Sequence, residues 1–333
     1  MQSSNFEKIV SVIIPCRNEE KFIAKCLDSV LAQTYPKNKM EVLVIDGESG
    51  DKTAEIVGSY SEKYPFIRVI KNPKKITPAA MNMGIKEAHG EVVVRLDAHS
   101  IYPSDYIEKG VGYLKKLQAD NVGGIRRAVP AKKTMAAKAI ALTFSSFFGV
   151  GNARYQTGTE KPREVDTVFC GFYRKEIFKK IGFYNENLVR SQDMEFNIRL
   201  KRNGGKIILV PDITIQYFPK SDFGAFFRHN IKDGIWAIVP LKFGVRLKLR
   251  HFIPLFFVLG LFGSFVLSFW YYPFIFATLG IAVLYLSAAL YFSAKLLTEE
   301  NNGSLLLFLV TAFAVRHFGY GIGSLIGFVK LIL

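Results

Sequence analysis

The sequence predicts an α/β fold with a mostly parallel central sheet, followed by apolar helices at the C-terminal end. Signals for buried strands and for helices alternate over residues 10–97, and polar residues follow three of the predicted strands. Formal charges are frequent up to about Arg250 and rare after it. Alternating strands and helices indicate βαβ units, which place parallel strands in one sheet with helices on both of its faces.

Each element of the first half follows from its residue pattern. Continuous apolar runs are typical of strands that are buried on both faces of a parallel sheet. The predicted strands are residues 10–15, 42–45, 67–70 and 91–96. The predicted helices are residues 20–33, 52–64 and 77–89. The last helix begins with Thr77 as a capping residue and Pro78 in the first turn, where the missing N–H of proline is not needed.

The middle of the chain is less regular. Its predicted strands are residues 122–125, 165–169 and 206–210, and its predicted helices are residues 175–181 and 192–202. An amphipathic pattern extends over residues 131–150, with lysines near one end and phenylalanines near the other. This pattern fits a helix on a membrane surface, and it equally fits a helix packed into a protein core.

Three apolar stretches, residues 252–270, 274–294 and 305–329, reach about the 20 residues that a helix needs to cross a bilayer. Arg316 and His317 interrupt the third stretch. The third stretch therefore fits a single helix with Arg316 turned toward the other spans, or two half-length segments. We hypothesise that Arg316 meets the phosphate of a lipid-linked ligand. The alternative is that it pairs with a backbone carbonyl or extends to a membrane interface.

The distribution of positive charge predicts how the chain is oriented in the membrane. Four basic residues stand just before the first apolar stretch, namely Lys242, Arg246, Lys248 and Arg250. The turn at residues 271–273 carries no charge, so the positive-inside rule places the basic cluster in the cytoplasm. We therefore expect a cytoplasmic domain over residues 1–240 and a membrane domain over residues 241–333. The apolar stretches and the distribution of charge together predict a multi-pass protein of the inner, cytoplasmic membrane.

Composition limits the classes of partner and of site. The formal net charge of the 333-residue chain is +16, which suits anionic partners. No helix-turn-helix, RNP or zinc-finger pattern accompanies the charge, so we expect membrane lipids and phosphorylated substrates rather than nucleic acid. Cys16, Cys26 and Cys170 form no C-x-x-C pair. Their number and spacing argue against a disulfide framework or a zinc site and predict reduced, partly buried thiols.

Polar clusters follow three strands that end at one edge of the predicted sheet, where ligands bind in open α/β folds. Asp97 and His99 stand two residues apart, so a carboxylate and an imidazole can face one cation. Such a cation neutralises the charge that grows on a departing diphosphate. Asp46 directly follows another strand, where it can accept hydrogen bonds from a base or a ribose. The third cluster is residues 15–20, in which one glutamate is explained by the dipole of the following helix.

These clusters, in this order and spacing, resemble the motifs of the family 2 glycosyltransferases, which have the GT-A nucleotide-sugar-binding fold. The matching residues are Val12-Ile13-Ile14-Pro15 with Asn18-Glu19, Asp46-Gly47-x-Ser49-x-Asp51, Pro78-Ala79-Ala80-Met81-Asn82-x-Gly84, Asp97-x-His99, and Gln192-Asp193 followed by Glu195. The resemblance covers residues 10–218. It extends to the membrane-bound bacterial exopolysaccharide transferases of the succinoglycan type.

The resemblance implies an inverting hexosyltransferase. Its donor would be a nucleoside-diphosphate sugar, usually a UDP-sugar, and its acceptor a lipid-linked or polysaccharide molecule in cell-surface or exopolysaccharide biosynthesis. The residues implied for binding the nucleotide sugar are Pro15, Asn18, Glu19, Asp46, Asp97 and Arg228. Among these, Asp46 would contact the base. Asp97, together with His99, would hold a divalent cation, Mn²⁺ or Mg²⁺, and with it the diphosphate.

The resemblance also implies that Asp193 is the catalytic base. Asp193 would take the proton from an acceptor hydroxyl that attacks the anomeric carbon on the face opposite the diphosphate, which inverts the configuration. Help of this kind accelerates a reaction by roughly 10²–10⁴-fold. Arg228 and Lys232 fit a contact with the donor diphosphate or with a lipid phosphate, and they equally fit the solvated face of an amphipathic helix.

The sequence departs from the family pattern in two places. Gln192 stands where an acidic neighbour of the base is usual. The Gln-x-x-Arg-Trp motif of processive synthases is missing, since only Arg228 and, eight positions later, Trp236 stand in that region. We therefore do not expect processive polymerisation.

Two other classes of function compete with this interpretation. A sugar-phosphate nucleotidyltransferase requires a Gly-rich G-x-G-x-R loop after the first strand, and residues 15–20 contain no glycine. A membrane scaffold with a degenerate, non-catalytic domain is favoured when the metal or base positions are lost. Asp97, His99 and Asp193 are all present. The transferase is therefore the function that the sequence predicts.

Overall fold

The computed structural model describes residues 10–245, 247, 249–300 and 302–332. These residues form two compact units. The first unit contains the chain up to Arg127 together with Gly158–Tyr217, and the second contains Ala128–Thr157 together with the chain from Phe218. The boundary expected between residues 240 and 241 concerns where the chain enters the membrane, which is a different property from the division into these two units. It stays a prediction. Arg246 and Lys248 of the predicted cytoplasmic cluster lie outside the described residues.

The first unit is built on one nine-stranded sheet. Its strands are β1 (Val10–Cys16), β2 (Met40–Asp46), β3 (Ile67–Lys71), β4 (Val92–Arg95), β5 (Ser100–Ile101), β6 (Asn121–Ala128), β7 (Arg163–Glu164), β8 (Phe169–Arg174) and β9 (Ile207–Tyr217). They lie in the order β3-β2-β1-β4-β8-β6-β9-β5, with β7 paired to β9. β1 is parallel to β2 and β4, and β2 is parallel to β3. The α/β fold class is therefore confirmed, with antiparallel strands completing the sheet beyond β4.

Helices cover both faces of this sheet. In the first unit they are α1 (Ile23–Leu31), α2 (Thr53–Lys63), α3 (Thr77–Glu87), α4 (Tyr106–Lys116) and, after the segment that belongs to the second unit, α8 (Glu176–Ile181) and α9 (Gln192–Arg202). β1 and β2 are buried almost throughout, which explains their apolar runs. α3 lies close to β1 because it carries Gly84. A Cβ atom there would stand 2.6 Å from Cγ2 of Ile13.

Apart from small shifts at element ends, the elements of the first unit differ from the predicted ones in five places. β5 and β7, with two residues each, were not predicted. α4 was not predicted. The predicted strand at residues 165–169 forms instead as β8, Phe169–Arg174. β9 continues past Pro211 to Tyr217, well beyond the predicted end at residue 210. Proline cannot donate a hydrogen bond to a neighbouring strand, so Pro211 predicts the end of the strand. The chain nevertheless remains extended at Pro211.

The second unit is helical. Its helices are α5 (Met135–Thr143), α6 (Phe147–Val150), α7 (Arg154–Thr157), α10 (Phe223–Ile238), α11 (Ile253–Leu267), α12 (Phe274–Glu300) and α13 (Leu306–Ile332). The predicted amphipathic segment at residues 131–150 forms α5 and α6. Most of one face of α5 is buried, including Ile140, and α5 packs against α13. The core-packed alternative is therefore the observed one.

Glycines let α10 and α13 pack closely against each other. Gly319, Gly323 and Gly327 recur every fourth residue along α13. A Cβ atom on Gly323 would meet the carbonyl oxygen of Ile231 in α10, and one on Gly234 of α10 would meet the α13 backbone. Close approach of this kind requires small residues at the contact. The third apolar stretch is thus one continuous helix rather than two half-length segments.

Two helices of the second unit are long and apolar enough to span a membrane by length and composition. They are Phe274–Thr298 and Gly303–Ile332. The first predicted span instead forms α11 with 15 residues, which is about 22 Å long at 1.5 Å per residue and shorter than the roughly 30 Å hydrocarbon core. In Phe274–Thr298, 6% of the residues in the most apolar window are buried. A core helix of a soluble protein is mostly buried, so α12 does not fit that class.

Candidate active site

An open cleft lies at the carboxyl edge of the parallel strands. Its cavity volume is about 190 Å³. Its walls come from the ends of β1 and β4, from the turn after β2, and from the segment that joins β3 to α3. Pro15, Glu19, Asp97 and His99, four of the predicted site residues, line it. The order of the strands brings these residues together, because parallel strands direct their carboxyl ends to one edge.

Asp97 is held at the end of β4 by Arg95. Nε and Nη2 of Arg95 donate to Oδ1 of Asp97 at 3.1 and 3.0 Å. Burial raises the pKa of the Asp97 carboxyl, but the positive charges of Arg95, His99 and Arg126 outweigh burial and hold this pKa below its ordinary value. Burial lowers the pKa of Arg95, whereas the charges of Asp97 and Asp193 raise it well above the usual value. Arg95 is therefore within electrostatic range of the predicted metal ligand Asp97 and of the predicted base Asp193.

His99 lies against the first cluster. Its Nδ1 stands 3.2 Å from Oε1 of Glu19, and its ring meets that of Tyr217 edge-on at 6.2 Å between centroids. Among the described residues, no group of three or more His, Cys, Asp or Glu side chains is placed to hold a metal ion. Asp97 and His99 supply two ligand types, a carboxylate and an imidazole. Two protein ligands fit a cation that is also held by substrate phosphates and water, rather than an all-protein cage.

Asn18 and Asp46 shape the loops beside the cleft but do not line it. Asp46 is 4% exposed, and it accepts from the hydroxyl of Ser49 at 2.6 Å and from the Ser49 N–H at 3.2 Å. Asn18 has a φ of 56°, and its side chain accepts from the N–H of Gly50 at 2.8 Å. The bonds of Asp46 fold the loop after β2 onto the end of that strand, and the bond of Asn18 ties the loop after β1 to the loop after β2. The contact of either residue with a nucleotide stays a prediction.

Cationic residues that the sequence interpretation did not assign also line the cleft. Arg17 lies within the first polar cluster, Lys75 precedes α3, and Arg95 ends β4. Lys75 has a φ of 59° and forms a 2.7 Å ion pair with Glu48, which has a φ of 52°. Positive charge at this position suits an anionic ligand such as a diphosphate. Only Arg17 carried a sequence signal, since it stands inside a cluster that was already singled out.

Two acidic residues near the start of α9 have different surroundings. Glu195 is bound through both carboxylate oxygens by Arg199, at 2.8 Å from Nε and 3.0 Å from Nη2. Asp193 is half-buried, and its Oδ1 accepts from the N–H of Met194 at 2.9 Å. Both oxygens of Glu195 are therefore used in the ion pair with Arg199 within α9. Asp193 forms no such pair among the described residues and is the carboxylate that fits the predicted base. Its catalytic role stays a prediction.

The remaining predicted residues belong to the second unit. Arg228 is exposed on α10, and its predicted contact with the donor stays untested. Nε of Arg316 donates to the carbonyl of Gly149, and the guanidinium stands 4.7 Å from the ring centroid of Phe144. Nε2 of His317 lies 2.8 Å from the carbonyl oxygen of Phe148. Arg316 thus has the backbone partner that the alternative interpretation foresaw.

The three cysteines are free and buried, as predicted. Burial raises the pKa of the Cys16 thiol to about 12, with further contributions from the charges of Asp46 and Glu19. Burial likewise raises the pKa of Cys26 and Cys170. A thiol with so high a pKa stays protonated at neutral pH, so none of the three is an activated nucleophile.

Comparison with protein families and with curated proteins gives consistent matches. The model of Glycosyl transferase family 2 matches residues 11–182. The chain is 28% identical to the succinoglycan biosynthesis protein ExoA of Rhizobium meliloti over 264 residues, which is 73% of this chain and 79% of that protein. It is 29% identical to a dolichyl N-acetyl-α-D-glucosaminyl phosphate 3-β-D-2,3-diacetamido-2,3-dideoxy-β-D-glucuronosyltransferase of Methanococcus voltae over 233 residues, covering 68% and 71% of the two chains.

Solved structures share the fold at low sequence identity. A mannosyltransferase from Pyrobaculum calidifontis in complex with GDP-Man and Mn²⁺ aligns with a TM-score of 0.56 at 19% identity, over 94% of this chain and 88% of that one. S. aureus TarS in complex with UDP aligns with a TM-score of 0.52 at 19% identity, over 95% and 90% of the two chains.

Proposed function

The chain belongs to glycosyl transferase family 2, and we propose that it transfers a sugar from a nucleoside-diphosphate sugar to a lipid-linked or polysaccharide acceptor with inversion of configuration. The family resemblance of the motifs and the assignment as a glycosyltransferase are confirmed by the family match. The observation that carries the proposal is the cleft at the carboxyl edge of the sheet. It combines Pro15, Asp97 and His99 with the cations Arg17 and Lys75.

The cleft supports a nucleoside-diphosphate sugar as the donor. Positive side chains and the end of a parallel sheet suit a diphosphate. Pro15 and Gly47 also line the cleft, and we propose that the nucleoside lies beside them. The similar TarS and mannosyltransferase structures hold UDP and GDP-Man, respectively. We propose a UDP-sugar, because Asp46 follows β2 where the family resemblance implies a contact with the base.

Asp97 and His99 would hold the divalent cation, which would neutralise charge on the leaving diphosphate. A carboxylate and an imidazole suit manganese somewhat better than magnesium. The similar mannosyltransferase was solved with Mn²⁺. Arg95 keeps Asp97 ionised by its two hydrogen bonds, so the carboxylate stays a competent ligand at neutral pH.

Asp193 acts as the base in the proposed reaction. The acceptor oxygen forms a bond to the anomeric carbon, the bond from that carbon to the diphosphate oxygen breaks, and the acceptor proton moves to the Asp193 carboxylate. One displacement from the opposite face inverts the configuration. The nucleoside diphosphate leaves with its negative charge facing Arg17 and Lys75, which favours charge separation in the transition state.

The acceptor and the location belong to the same proposal. The names of the similar proteins refer to succinoglycan biosynthesis and to a dolichyl-linked sugar phosphate, so a polysaccharide or polyprenyl-linked acceptor is the class we propose. In the most apolar window of α12, 6% of the residues are buried, which suits contact with lipid. We propose that the helical unit crosses the inner membrane and that the basic residues before α11, among them Lys242 and Arg250, lie on the cytoplasmic side.

The test uses the full chain purified in detergent. It is incubated with UDP-glucose, UDP-N-acetylglucosamine, UDP-galactose or GDP-mannose and a set of polyprenyl-phosphate-linked sugars, while nucleoside diphosphate release and product are measured. We expect release that depends on both donor and acceptor, and a product of inverted configuration. Absence of transfer with every donor, or transfer with retained configuration, contradicts the proposal.

A further inference from the structure

The segment that leads into α9 is fixed by a buried asparagine of α3. Asn82 is 4% exposed, and its side chain bonds both backbone groups of Tyr184. Nδ2 of Asn82 donates to the Tyr184 carbonyl at 2.9 Å, and Oδ1 accepts from the Tyr184 N–H at 2.9 Å. Nδ2 also donates to Oε1 of Glu186 at 3.0 Å, and Oε2 of Glu186 accepts from Lys74 at 2.6 Å.

The same segment is fixed to α9 from its other side. The ring of Tyr184 stacks on that of Phe196 with 4.7 Å between centroids. Arg199 donates to the carbonyls of Ile181, Gly182 and Phe183, while it also binds Glu195. Phe196 stands three residues after Asp193. The orientation of the first turn of α9 therefore depends on where Tyr184 is held.

The helix that carries Asn82, α3, also forms part of the cleft wall. Thr77 and Ala80 of α3 line the cleft, and Ala80 precedes Asn82 by two residues. Lys75, which also lines the cleft, directly follows Lys74. One set of hydrogen bonds thus connects the wall of the cleft with the segment before α9. These bonds are unused by the chemistry described above.

We propose that Asn82 is a positioning residue that sets the predicted base, Asp193, at the correct distance from the sugar bound in the cleft. The inference rests on the proposed function. Asn82 does not touch the substrate. It acts through Tyr184. Asn82 binds the backbone of Tyr184, and the ring of Tyr184 packs against Phe196 of α9. A base must lie within about 3 Å of the proton that it takes, so a small displacement of α9 reduces turnover while the donor site stays intact.

This role predicts a specific separation of kinetic effects. Misplacement of a reacting group by about 1 Å can cost about 10²-fold in rate. Asn82→Ala removes all three hydrogen bonds, and we expect kcat for transfer to fall about 10–100-fold. The Kd of the nucleoside diphosphate should change less than about threefold, because no atom of Asn82 lines the cleft.

The experiment compares Asn82→Ala with a matched buried polar residue. Ser11 is fully buried at the opposite end of β1, donates to Glu41 at 2.7 Å and accepts from the Gly90 N–H at 2.8 Å. For each full-length variant, Tm, kcat with the best nucleotide sugar of the panel, and the Kd of the corresponding UDP or GDP are measured. Ser11→Ala should lower Tm with little change in kcat.

A second variant decides the matter if Asn82→Ala does not fold. Glu186 is partly exposed, so Glu186→Ala should fold. It removes one partner of Asn82 and should lower kcat about threefold at unchanged nucleotide Kd, since the bonds to Tyr184 remain. An unchanged kcat in the folded Asn82 variant, or an equal kcat loss in Ser11→Ala at equal Tm, overturns the inference. If the Asn82 variant does not fold, an unchanged kcat in Glu186→Ala overturns it. Failure of the wild type to transfer any sugar overturns the proposed function instead.

Discussion

Two carboxylates in the first turns of α9 should respond oppositely to loss of charge. Asp193→Asn keeps the shape of the side chain but cannot take a proton from the acceptor. Glu195→Gln leaves Asp193 unchanged but weakens the pair with Arg199. We expect the first variant to lose turnover and keep its stability, and the second to keep turnover and lose stability.

The size of each effect follows from the contacts. The Glu195 and Arg199 side chains are 12% and 25% exposed and share two hydrogen bonds, at 2.8 and 3.0 Å. A glutamine retains one acceptor oxygen and no charge, so Glu195→Gln should cost about 2 kcal/mol, on the scale of a hydrogen bond to a charged group. For a unit of this size, that loss lowers Tm by about 4–8 °C. Loss of a general base lowers kcat by roughly 10²–10⁴-fold.

The assay measures kcat from nucleoside diphosphate release that depends on the acceptor, and Tm by differential scanning fluorimetry in the same detergent. Binding of the donor nucleotide by calorimetry serves as the control, because both variants should bind as the wild type does. The reasoning is refuted if Asp193→Asn transfers sugar at a near-native kcat while Glu195→Gln loses transfer at an unchanged Tm. Glu195 would then be the base.

Three further substitutions test the packing. Gly84→Ala should lower Tm, because the new Cβ overlaps β1 and overpacking costs about 1–3 kcal/mol; thermal denaturation measures it. Gly323→Ala should lower Tm in detergent by forcing α10 and α13 apart, whereas Gly280→Ala in α12, with open space around it, should not. Arg316→Leu should still insert into the membrane but denature at a lower temperature, since the bond to Gly149 is lost, while the Michaelis constant for a lipid-linked acceptor stays unchanged.

Each of these predictions has an outcome that contradicts it. For Gly323→Ala, a Tm change no larger than that of Gly280→Ala contradicts the close packing of α10 and α13. Gly58→Ala in α2 is the control for Gly84, because its Cβ meets nothing within 4 Å, so alanine there should stabilise the helix by about 0.5–1 kcal/mol. Equal changes in Tm for Gly84→Ala and Gly58→Ala would contradict the claim that α3 packs closely on β1 at Gly84. For Arg316→Leu, a raised Michaelis constant at an unchanged Tm would restore the phosphate-binding hypothesis.

The parallel half of the sheet could be predicted because its signals are local. β1 and β2 are continuous apolar runs, and each is followed by a turn and an amphipathic helix. β5 has two residues, too few for any periodicity. β8 lies later than its predicted position, and its sequence contains Gly171, which fits there because a side chain would collide with Asn121. That contact joins residues 50 positions apart and leaves no local signal.

The candidate site was partly predictable for the same reason. Asp97 and His99 stand two residues apart after a strand, so their proximity follows from sequence. Arg17 and Lys75 reach the cleft from loops after different strands, and a single basic residue in a loop is indistinguishable from a solvated one. A backbone partner for Arg316 was one of the alternatives, but its identity could not be predicted, because Gly149 stands 167 residues earlier in the chain.

The most direct test of the account is calorimetric titration of the purified full chain with UDP and with GDP, in Mn²⁺ and in excess EDTA. The account predicts that UDP binds in Mn²⁺ more tightly than GDP, that EDTA weakens UDP binding at least about tenfold, and that Asp97→Asn in Mn²⁺ binds UDP as weakly as the wild type in EDTA. Nucleotide binding that is equally tight with Mn²⁺, with EDTA and in Asp97→Asn would contradict the assignment of this cleft.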